Sequence, residues 1–172
     1  ELRSVPGLDL LQGTSDLLRY SKDAYEYSPV LSSLLERCRA DLVVRPRDGA
    51  AVERVAASCA RHRIPLTLRG SGTGNYGQSV PMDGGVVLVC SAMRKVKHLD
   101  EQSGVVTVQP GCLMRDLDQH LRARGRQLRL LPSTWRSATI GGFLAGGSGG
   151  IGSIRWGLSL IHISEPTRPT PI

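Results

Sequence analysis

A loop of alternating glycines at residues 69–79, with the sequence RGSGTGNYGQS, constrains this chain more than any other stretch. It follows a short apolar run at 64–68 (IPLTL), whose composition predicts a β-strand. Glycines at this spacing allow successive backbone N–H groups to turn towards one concavity, and such a nest binds an anion. Hydroxyl and amide side chains stand between the glycines, so a diphosphate is the expected occupant.

Two familiar phosphate-binding patterns do not account for this loop. Residues 72–77 satisfy the G-x-G-x-x-G pattern, and so do residues 147–152, so the pattern alone discriminates little in a glycine-rich chain. A nicotinamide-dinucleotide site needs a helix that starts at the glycines, whereas residues 78–85 (QSVPMDGG) have turn composition and no helical period. No acidic residue closes the next apolar run at 86–89, and no Gly-Lys-Ser/Thr follows for a P-loop. The sequence disfavours both classes of site.

The pattern of apolar residues predicts an α/β domain around the loop. A strand at 42–46 precedes a helix from Asp48, its N-cap, to about Arg61, and a strand at 64–69 leads into the loop. Strand, helix, strand at this spacing predicts a right-handed βαβ unit with the loop at the carboxyl end of its strand, where open α/β sheets bind ligands. Further elements are expected downstream: strands at 86–89 and 105–109, a helix from 113 that Gly125 ends, and a short helix at 140–145 capped by Thr139.

A second block of the sequence is also rich in small residues. It comprises residues 131–134 (LPST), 138–142 (ATIGG) and 146–150 (GGSGG), and the apolar Phe143 and Ile151 argue against a solvated linker. Together with the first loop, this block resembles the two flavin-contacting segments of the FAD-linked oxidase superfamily, typified by vanillyl-alcohol oxidase and p-cresol methylhydroxylase. The two blocks stand in the family's order with suitable spacing, and the resemblance covers roughly residues 41–157.

The resemblance implies a p-cresol methylhydroxylase-type FAD-binding domain of α/β (α+β) class, with a βαβ N-terminal subdomain and a truncated second subdomain. It implies that the first loop holds the FAD diphosphate and that the second block lies along the flavin. The cofactor-binding residues that it implicates are Gly70, Ser71, Gly72, Thr73, Gly74, Asn75, Gln78 and Ser79 in the first loop, and Pro132, Ser133, Thr139, Gly141, Gly142, Gly146, Ser148 and Gly149 in the second block.

Two further expectations concern the chemistry of the first loop. Arg69 is the one obvious charge that can assist a diphosphate there, and the competing interpretation is a surface residue at a strand end. Some members of the family tether FAD through a histidine in this loop. Thr73 stands at the corresponding place, so the resemblance implies noncovalent FAD.

The composition disfavours several other classes of function. The formal charge of +7 arises from 22 Lys and Arg against 15 Asp and Glu, but the densest basic run, at 122–129, has no interleaved aromatics for base stacking. Nucleic-acid binding is therefore not expected. No apolar run is long enough to span a membrane. The cysteines have no C-x-x-C spacing, which favours free thiols in a reducing, cytoplasmic compartment over a disulfide framework or a metal site: Cys38, Cys59, Cys90 and Cys112.

The chain is expected to divide into three parts. Residues 1–40 form a lead-in segment with short helices at 16–20 and 29–39 and no assignable chemistry. Residues 41–157 form an FAD-binding domain that is incomplete at its C-terminus. Residues 158–172 do not continue the family pattern and are interpreted as a non-native tail.

The implied function is the FAD-binding portion of a flavin-dependent oxidoreductase that acts on a small molecule such as a 2-hydroxy acid or an alcohol. No catalytic residue can be named, and the chain as written is expected to lack turnover because the family's substrate domain is missing. Two alternatives stay open. One is a flavin-binding subunit whose catalytic residues lie on another chain, and the other is an FAD domain of the cell-wall-precursor reductase type.

Overall fold

The computed structural model, which describes residues 1–24, 28–147 and 149–156, begins with a four-stranded mixed sheet. Its strands are β1 (Leu8–Leu11), β2 (Leu42–Pro46), β3 (Leu66–Arg69) and β4 (Val86–Val89). Their order in space is β1-β2-β4-β3; β2, β4 and β3 are parallel, and β1 pairs with β2 in the antiparallel sense. The two strands of the predicted βαβ unit are therefore parallel, but β4 lies between them.

Three helices accompany this sheet: α1 (Thr14–Tyr20), α2 (Pro29–Leu35) and α3 (Gly49–His62). The predicted N-cap of α3 is confirmed, because the Asp48 carboxylate accepts a hydrogen bond from the Ala51 N–H at 2.8 Å. The helix ends where Arg63 adopts the left-handed conformation, with φ of 53°. α2 ends at Leu35, earlier than the 29–39 expected from the sequence.

The central strands of the sheet, β2 and β4, are covered on both faces. On one face, Val44 and Leu88 pack against Val55 and Cys59 of α3. The other face is covered from the lead-in segment, where Val43, Val87 and Val89 meet Ala40 and the partly buried Leu11, Leu17 and Tyr20. Strands covered on both sides have no reason to alternate apolar and polar residues, which explains the uninterrupted VVLV sequence of β4.

The second part of the described chain contains an antiparallel pair, β5 (Val96–Leu99) and β6 (Val106–Val108), followed by α4 (Met114–Arg122), α5 (Ile140–Gly146) and α6 (Ser153–Trp156). The apolar stripe of α4 packs on this pair, with Leu117 and Leu121 beside Val96 and Val108. β1, β5 and α6 are absent from the sequence-based expectations. β6 and α4 confirm the strand and the helix expected there.

The described residues bear on several of the expectations about the whole chain. In the described ranges no helix combines the length and the apolar character needed to cross a membrane. The same residues contain no cluster of three or more His, Cys, Asp or Glu side chains able to hold a metal ion. Burial raises the pKa of the Cys59, Cys90 and Cys112 thiols, which keeps them protonated near neutral pH. The tail expected at 158–172 lies outside the described residues.

Candidate cofactor-binding site

The glycine loop leaves the sheet at the carboxyl end of the edge strand β3. Because β2, β3 and β4 are parallel, their carboxyl ends meet at the edge of the sheet where open α/β folds bind ligands. Gln78 folds back over the loop, and its Oε1 accepts a hydrogen bond from the Tyr76 N–H at 3.0 Å. A Cβ at position 74 would come within 2.5 Å of the same oxygen, so Gly74 is required for this contact. The loop is a braced turn and not an open linker.

Arg69, the last residue of β3, lies beneath this loop. Arg69 is only 7% exposed. Its Nη1 donates a hydrogen bond to Ser79 Oγ at 3.1 Å and another to the Tyr20 carbonyl at 3.3 Å. Burial lowers the pKa of the Arg69 guanidinium, and the charge of Asp23 raises it. The guanidinium stays protonated at physiological pH because its ordinary pKa lies so high. The interpretation of Arg69 as a surface residue at a strand end is therefore wrong.

The second block folds into a turn and a short helix. Leu131 and Ile151 exchange two backbone hydrogen bonds, of 3.1 and 2.8 Å, which hold the beginning and the end of the block together. α5 begins at Thr139, whose Oγ1 accepts a hydrogen bond from the Gly142 N–H at 3.3 Å. The cap predicted at Thr139 is confirmed.

The two blocks meet at Gly70. A Cβ added at this position would overlap Thr139 Oγ1 and would come within 3.6 Å of the Gly142 Cα. The backbone of the first loop therefore touches the capped end of α5, and only glycine allows that approach. Two segments that are about seventy residues apart in the sequence thus form the two walls of one site.

Between these walls lies a cleft of about 1010 Å³. That volume is at the top of the range of roughly 300–1,000 Å³ usual for small-molecule sites, so the cleft has room for a dinucleotide. Part of its lining is apolar, from Leu66, Leu68, Met82 and Phe143. Hydroxyl and amide side chains line another part of it: Ser71, Thr73, Asn75, Gln78, Ser79, Ser133, Thr134 and Thr139.

This lining fits FAD. Neutral hydroxyl, amide and backbone groups are the donors that bind a diphosphate without a salt bridge, and apolar side chains suit the flat rings of a flavin and an adenine. Among the described residues that line the cleft, none is an Asp, Glu, His, Lys or Arg. The described lining is therefore suited to hold and orient a cofactor, and within it no side chain is a strong acid or base for proton transfer.

The structure brings together nearly all the residues that the sequence implicated. Every described residue among them lines the cleft except Gly141. Ser148 lies outside the described residues. Gly141 is turned towards Pro110: its N–H donates to the Pro110 carbonyl at 2.9 Å, and a Cβ would come within 2.7 Å of the Pro110 Cβ. A direct contact of each lining residue with the cofactor stays a prediction.

Sequence reasoning missed several residues of the cleft. Ala24 lines it from the lead-in segment, and its N–H donates to the Gly74 carbonyl at 2.8 Å. Leu66 and Leu68 line it from β3, and Phe143 from α5. The signal that could have found Leu66 and Leu68 is their place in the strand that leads directly into the glycine loop. No local signal marks Ala24, because its contact with the loop joins segments fifty residues apart.

The mixed sheet, the glycine loop at its carboxyl edge and the neutral cleft together define a cofactor-binding α/β domain. Comparison of the sequence with family models assigns this domain to a family. A sequence model described as the FAD binding domain matches residues 40–165, and the chain belongs to that family. The recognition of a flavin domain from the two glycine blocks is confirmed.

Proteins similar to this chain include a glycolate oxidase subunit and a D-lactate dehydrogenase. The chain is 32% identical over 140 residues to the glycolate oxidase subunit GlcD of Bacillus subtilis, which covers 81% of the chain and 29% of that protein. It is 29% identical over 135 residues to the D-lactate dehydrogenase of Anaerostipes hadrus, covering 78% of the chain and 28% of that protein. The chain thus spans less than a third of the length of these relatives.

Solved structures confirm the fold class. An alkyldihydroxyacetonephosphate synthase superposes with a TM-score of 0.75 at 22% sequence identity, over 86% of this chain and 30% of that one. At this identity the likeness concerns the fold alone. It agrees with a mixed α/β domain.

Proposed function

We propose that the chain is the FAD-binding portion of a flavin-dependent oxidoreductase that acts on a small 2-hydroxy acid. The observation that carries the proposal is the neutral cleft between the glycine loop and the second block, in a chain that belongs to the FAD binding domain family. The named relatives act on glycolate and D-lactate, which are both 2-hydroxy acids. Their names favour an oxidase or dehydrogenase over the cell-wall-precursor reductase alternative.

In this proposal the backbone N–H groups of residues 70–75 bind the diphosphate, with Gln78 and Ser79 fixing the shape of the loop. Thr139 and Gly142 hold the second wall against the first, and the apolar side chains of Leu68 and Phe143 exclude water from the rings. When bound, FAD would supply the hydride acceptor for the oxidation of a substrate C–H bond. The contribution of the chain is to bind and orient the cofactor.

We propose that the cofactor is held without a covalent bond. Thr73 stands where the resemblance places a tethering histidine, and none of the described residues lining the cleft is a histidine or a cysteine. A noncovalent flavin leaves the protein on denaturation, whereas a tethered one stays with the polypeptide.

The catalytic base is proposed to lie outside this chain's cleft lining. Among the described lining residues the one ionisable side chain is Tyr76, which is 70% exposed. The 172-residue chain by itself should therefore bind FAD without turning over substrate. A second candidate function follows from the same observation: a flavin-holding subunit that receives its catalytic residues from another chain. The Bacillus subtilis relative is itself named a subunit.

The deciding experiment is the visible absorption spectrum of the purified protein. We expect the bands of oxidised flavin to co-elute with the protein and to appear in the filtrate after denaturation and ultrafiltration. A folded, colourless protein that also fails to take up added FAD would contradict the proposal. Flavin that remains on the denatured polypeptide would contradict the noncovalent mode alone.

The substrate class needs a separate test on the flavin-loaded longer protein that carries this domain. Anaerobic addition of glycolate or D-lactate should bleach the flavin absorption, because a substrate that transfers a hydride reduces the cofactor. Matched additions of acetate and propionate, which lack the 2-hydroxyl group, serve as controls. Equal bleaching by the controls, or none by either hydroxy acid, would contradict the assignment of the substrate class.

A further inference from the structure

The buried guanidinium of Arg69 joins the glycine loop to the lead-in segment. Its Nη1 donates to Ser79 Oγ in the loop and to the carbonyl of Tyr20, the last residue of α1. The Cζ atom of Arg69 lies 5.8 Å from the centroid of the Tyr20 ring, within the range of a cation–π contact. A Cβ at Gly72 would overlap Arg69 Nη2, so the guanidinium lies directly against the backbone of the loop.

The lead-in segment is itself anchored at this point. Ser21 is fully buried, and its Oγ accepts a hydrogen bond from the Ala40 N–H at 2.8 Å, just before β2. Two residues on, the buried Asp23 places its charge near Arg69, and Ala24 donates its N–H to the Gly74 carbonyl at 2.8 Å. The contacts to the loop therefore come from a segment that is itself buried and hydrogen-bonded to the start of β2.

We propose that Tyr20, Asp23, Ala24 and Arg69 form a loop brace that holds the glycine loop in its diphosphate-binding shape. Arg69 is then a positioning residue, and the lead-in segment is part of the cofactor site. This inference rests on the proposed FAD function and adds the residues that determine the shape of its diphosphate subsite.

Geometry and not charge is the basis of this role. Arg69 is absent from the described lining of the cleft, and the charge of the nearby Asp23 opposes its own. The planar guanidinium has several N–H groups in fixed directions, and it can bond Ser79 and Tyr20 while it packs on Gly72. A lysine ammonium at the same position keeps the charge but cannot make these contacts together.

The test measures the dissociation constant for FAD by flavin fluorescence. It uses the apoprotein of the longest available chain and compares the parent with Arg69→Lys, Tyr20→Leu and the double variant. Arg69→Lys should raise it about tenfold or more, the effect of losing charged hydrogen bonds. Tyr20→Leu should raise it about threefold or more through the lost ring contact. Because both act through one guanidinium, the double variant should bind within about twofold of Arg69→Lys alone.

Arg45→Lys is the matched control, because Arg45 also lies in a strand of the sheet but pairs with Asp9 on β1. It should bind FAD as the parent does. FAD binding by Arg69→Lys at the parent's affinity would overturn the inference, and so would a Tyr20→Leu effect that persists in full in the double variant. If Arg69 and Tyr20 had merely structural roles, their separate effects on the FAD dissociation constant would add in the double variant.

If Arg69→Lys shows no cooperative unfolding transition, Tyr20→Leu decides by itself. The Tyr20 ring does not line the described cleft, so a weaker affinity in a folded Tyr20→Leu protein supports the brace and an unchanged affinity overturns it. The two proposals fail separately. A parent that does not bind FAD contradicts the proposed function, whereas a parent and an Arg69→Lys variant of equal affinity contradict the inference alone.

Discussion

The three glycines at 70, 72 and 74 make room for side chains of the protein itself. The space that a Cβ would fill belongs to Thr139 Oγ1 at Gly70, to the guanidinium of Arg69 at Gly72 and to the amide of Gln78 at Gly74. Thr139 is held in place because its Oγ1 caps α5, and Arg69 because it is buried and bonded to Ser79 and Tyr20. A glycine-rich loop can thus be rigid when other side chains occupy the space that its missing side chains leave.

Gly70→Ala should separate the two walls of the cleft. The added methyl group overlaps Thr139 Oγ1, so Thr139 must rotate and give up its hydrogen bond to the Gly142 N–H. Loss of a helix N-cap costs about 1 kcal/mol, and distortion of the junction should weaken FAD binding by about tenfold. A thermal unfolding scan and a flavin fluorescence titration measure the two effects.

Gly49→Ala is the matched control for that substitution. Gly49 is the first residue of α3, and a Cβ there meets nothing within 4 Å. Alanine at this position should leave FAD affinity unchanged and raise the free energy of unfolding by up to about 1 kcal/mol, because glycine loses more backbone entropy on folding. Equal FAD affinities for Gly70→Ala and Gly49→Ala would show that the junction does not shape the site.

At the scale of the element, β1 is held to the sheet by a charged cluster as well as by its backbone. The Asp9 carboxylate accepts hydrogen bonds from Arg47 at 2.8 Å and from Arg45 at 3.1 Å, across the β1–β2 pair. The hydrogen bond from Arg47 is the largest influence that lowers the pKa of Asp9, and Arg45 adds to it. The cluster is partly exposed, so its contribution is modest.

Asp9→Asn should therefore reduce stability in a pH-dependent way. The pKa of Asp9 is lower in the folded state than its unfolded value of about 3.9, so the ion pair stabilises the fold above that pH. This stabilisation is lost as the pH falls through the folded-state pKa. Urea unfolding should give a difference of about 0.2–1 kcal/mol at pH 7 that disappears in acid and shrinks in high salt.

Glu53→Gln, on an exposed position of α3, is the control for the loss of one negative charge. Its effect on the free energy of unfolding should be smaller than that of Asp9→Asn at pH 7. An Asp9→Asn difference that stays constant from pH 7 to pH 3 would contradict the role of the ion pair.

The elements that sequence reasoning located are those whose burial follows from a local pattern. α3 has an apolar stripe and a capping Asp48, and β4 is a continuous apolar run, so both were predicted at or near their observed bounds. β1 was missed because its four residues are all half-buried and show no alternation. β5 was missed because its central residues are Lys97 and His98, and its strand character comes from pairing with β6.

At the scale of the whole molecule, the candidate cleft was largely predictable because its walls are two blocks of the sequence with unusual composition. The part that sequence could not supply is the support behind the walls. Tyr20 and Ala24 contact the loop across about fifty residues of sequence, and nothing in the local composition of the lead-in segment indicates that contact. Gly141 shows the opposite limit of sequence reasoning. The sequence implicated it in the cofactor site, but its lack of a side chain allows close packing against Pro110.

Exposed apolar side chains near the end of the described chain should cause self-association. Ile151 is 75% exposed and Ile154 is fully exposed, within a dozen residues of α5. Apolar surface of this kind favours association of the isolated chain. Sedimentation velocity should detect concentration-dependent oligomers of the parent, and the double variant Ile151→Lys/Ile154→Lys should sediment closer to a monomer.

Val105→Lys is the control for that experiment. Val105 is also exposed, at 61%, but it precedes β6 in the separate antiparallel pair, and single apolar residues on a surface are ordinary. This variant should sediment like the parent. A parent that is monomeric at every concentration would contradict the prediction.

The buried guanidinium beneath the loop has a consequence for anyone who trims this domain for expression. The FAD binding domain family match begins at residue 40, after Tyr20, Asp23 and Ala24. A protein cut at that boundary would retain Arg69 and lose its carbonyl acceptor, its ring contact and its nearby counter-charge. The shorter protein would carry every recognisable cofactor residue and still be purified without its yellow colour.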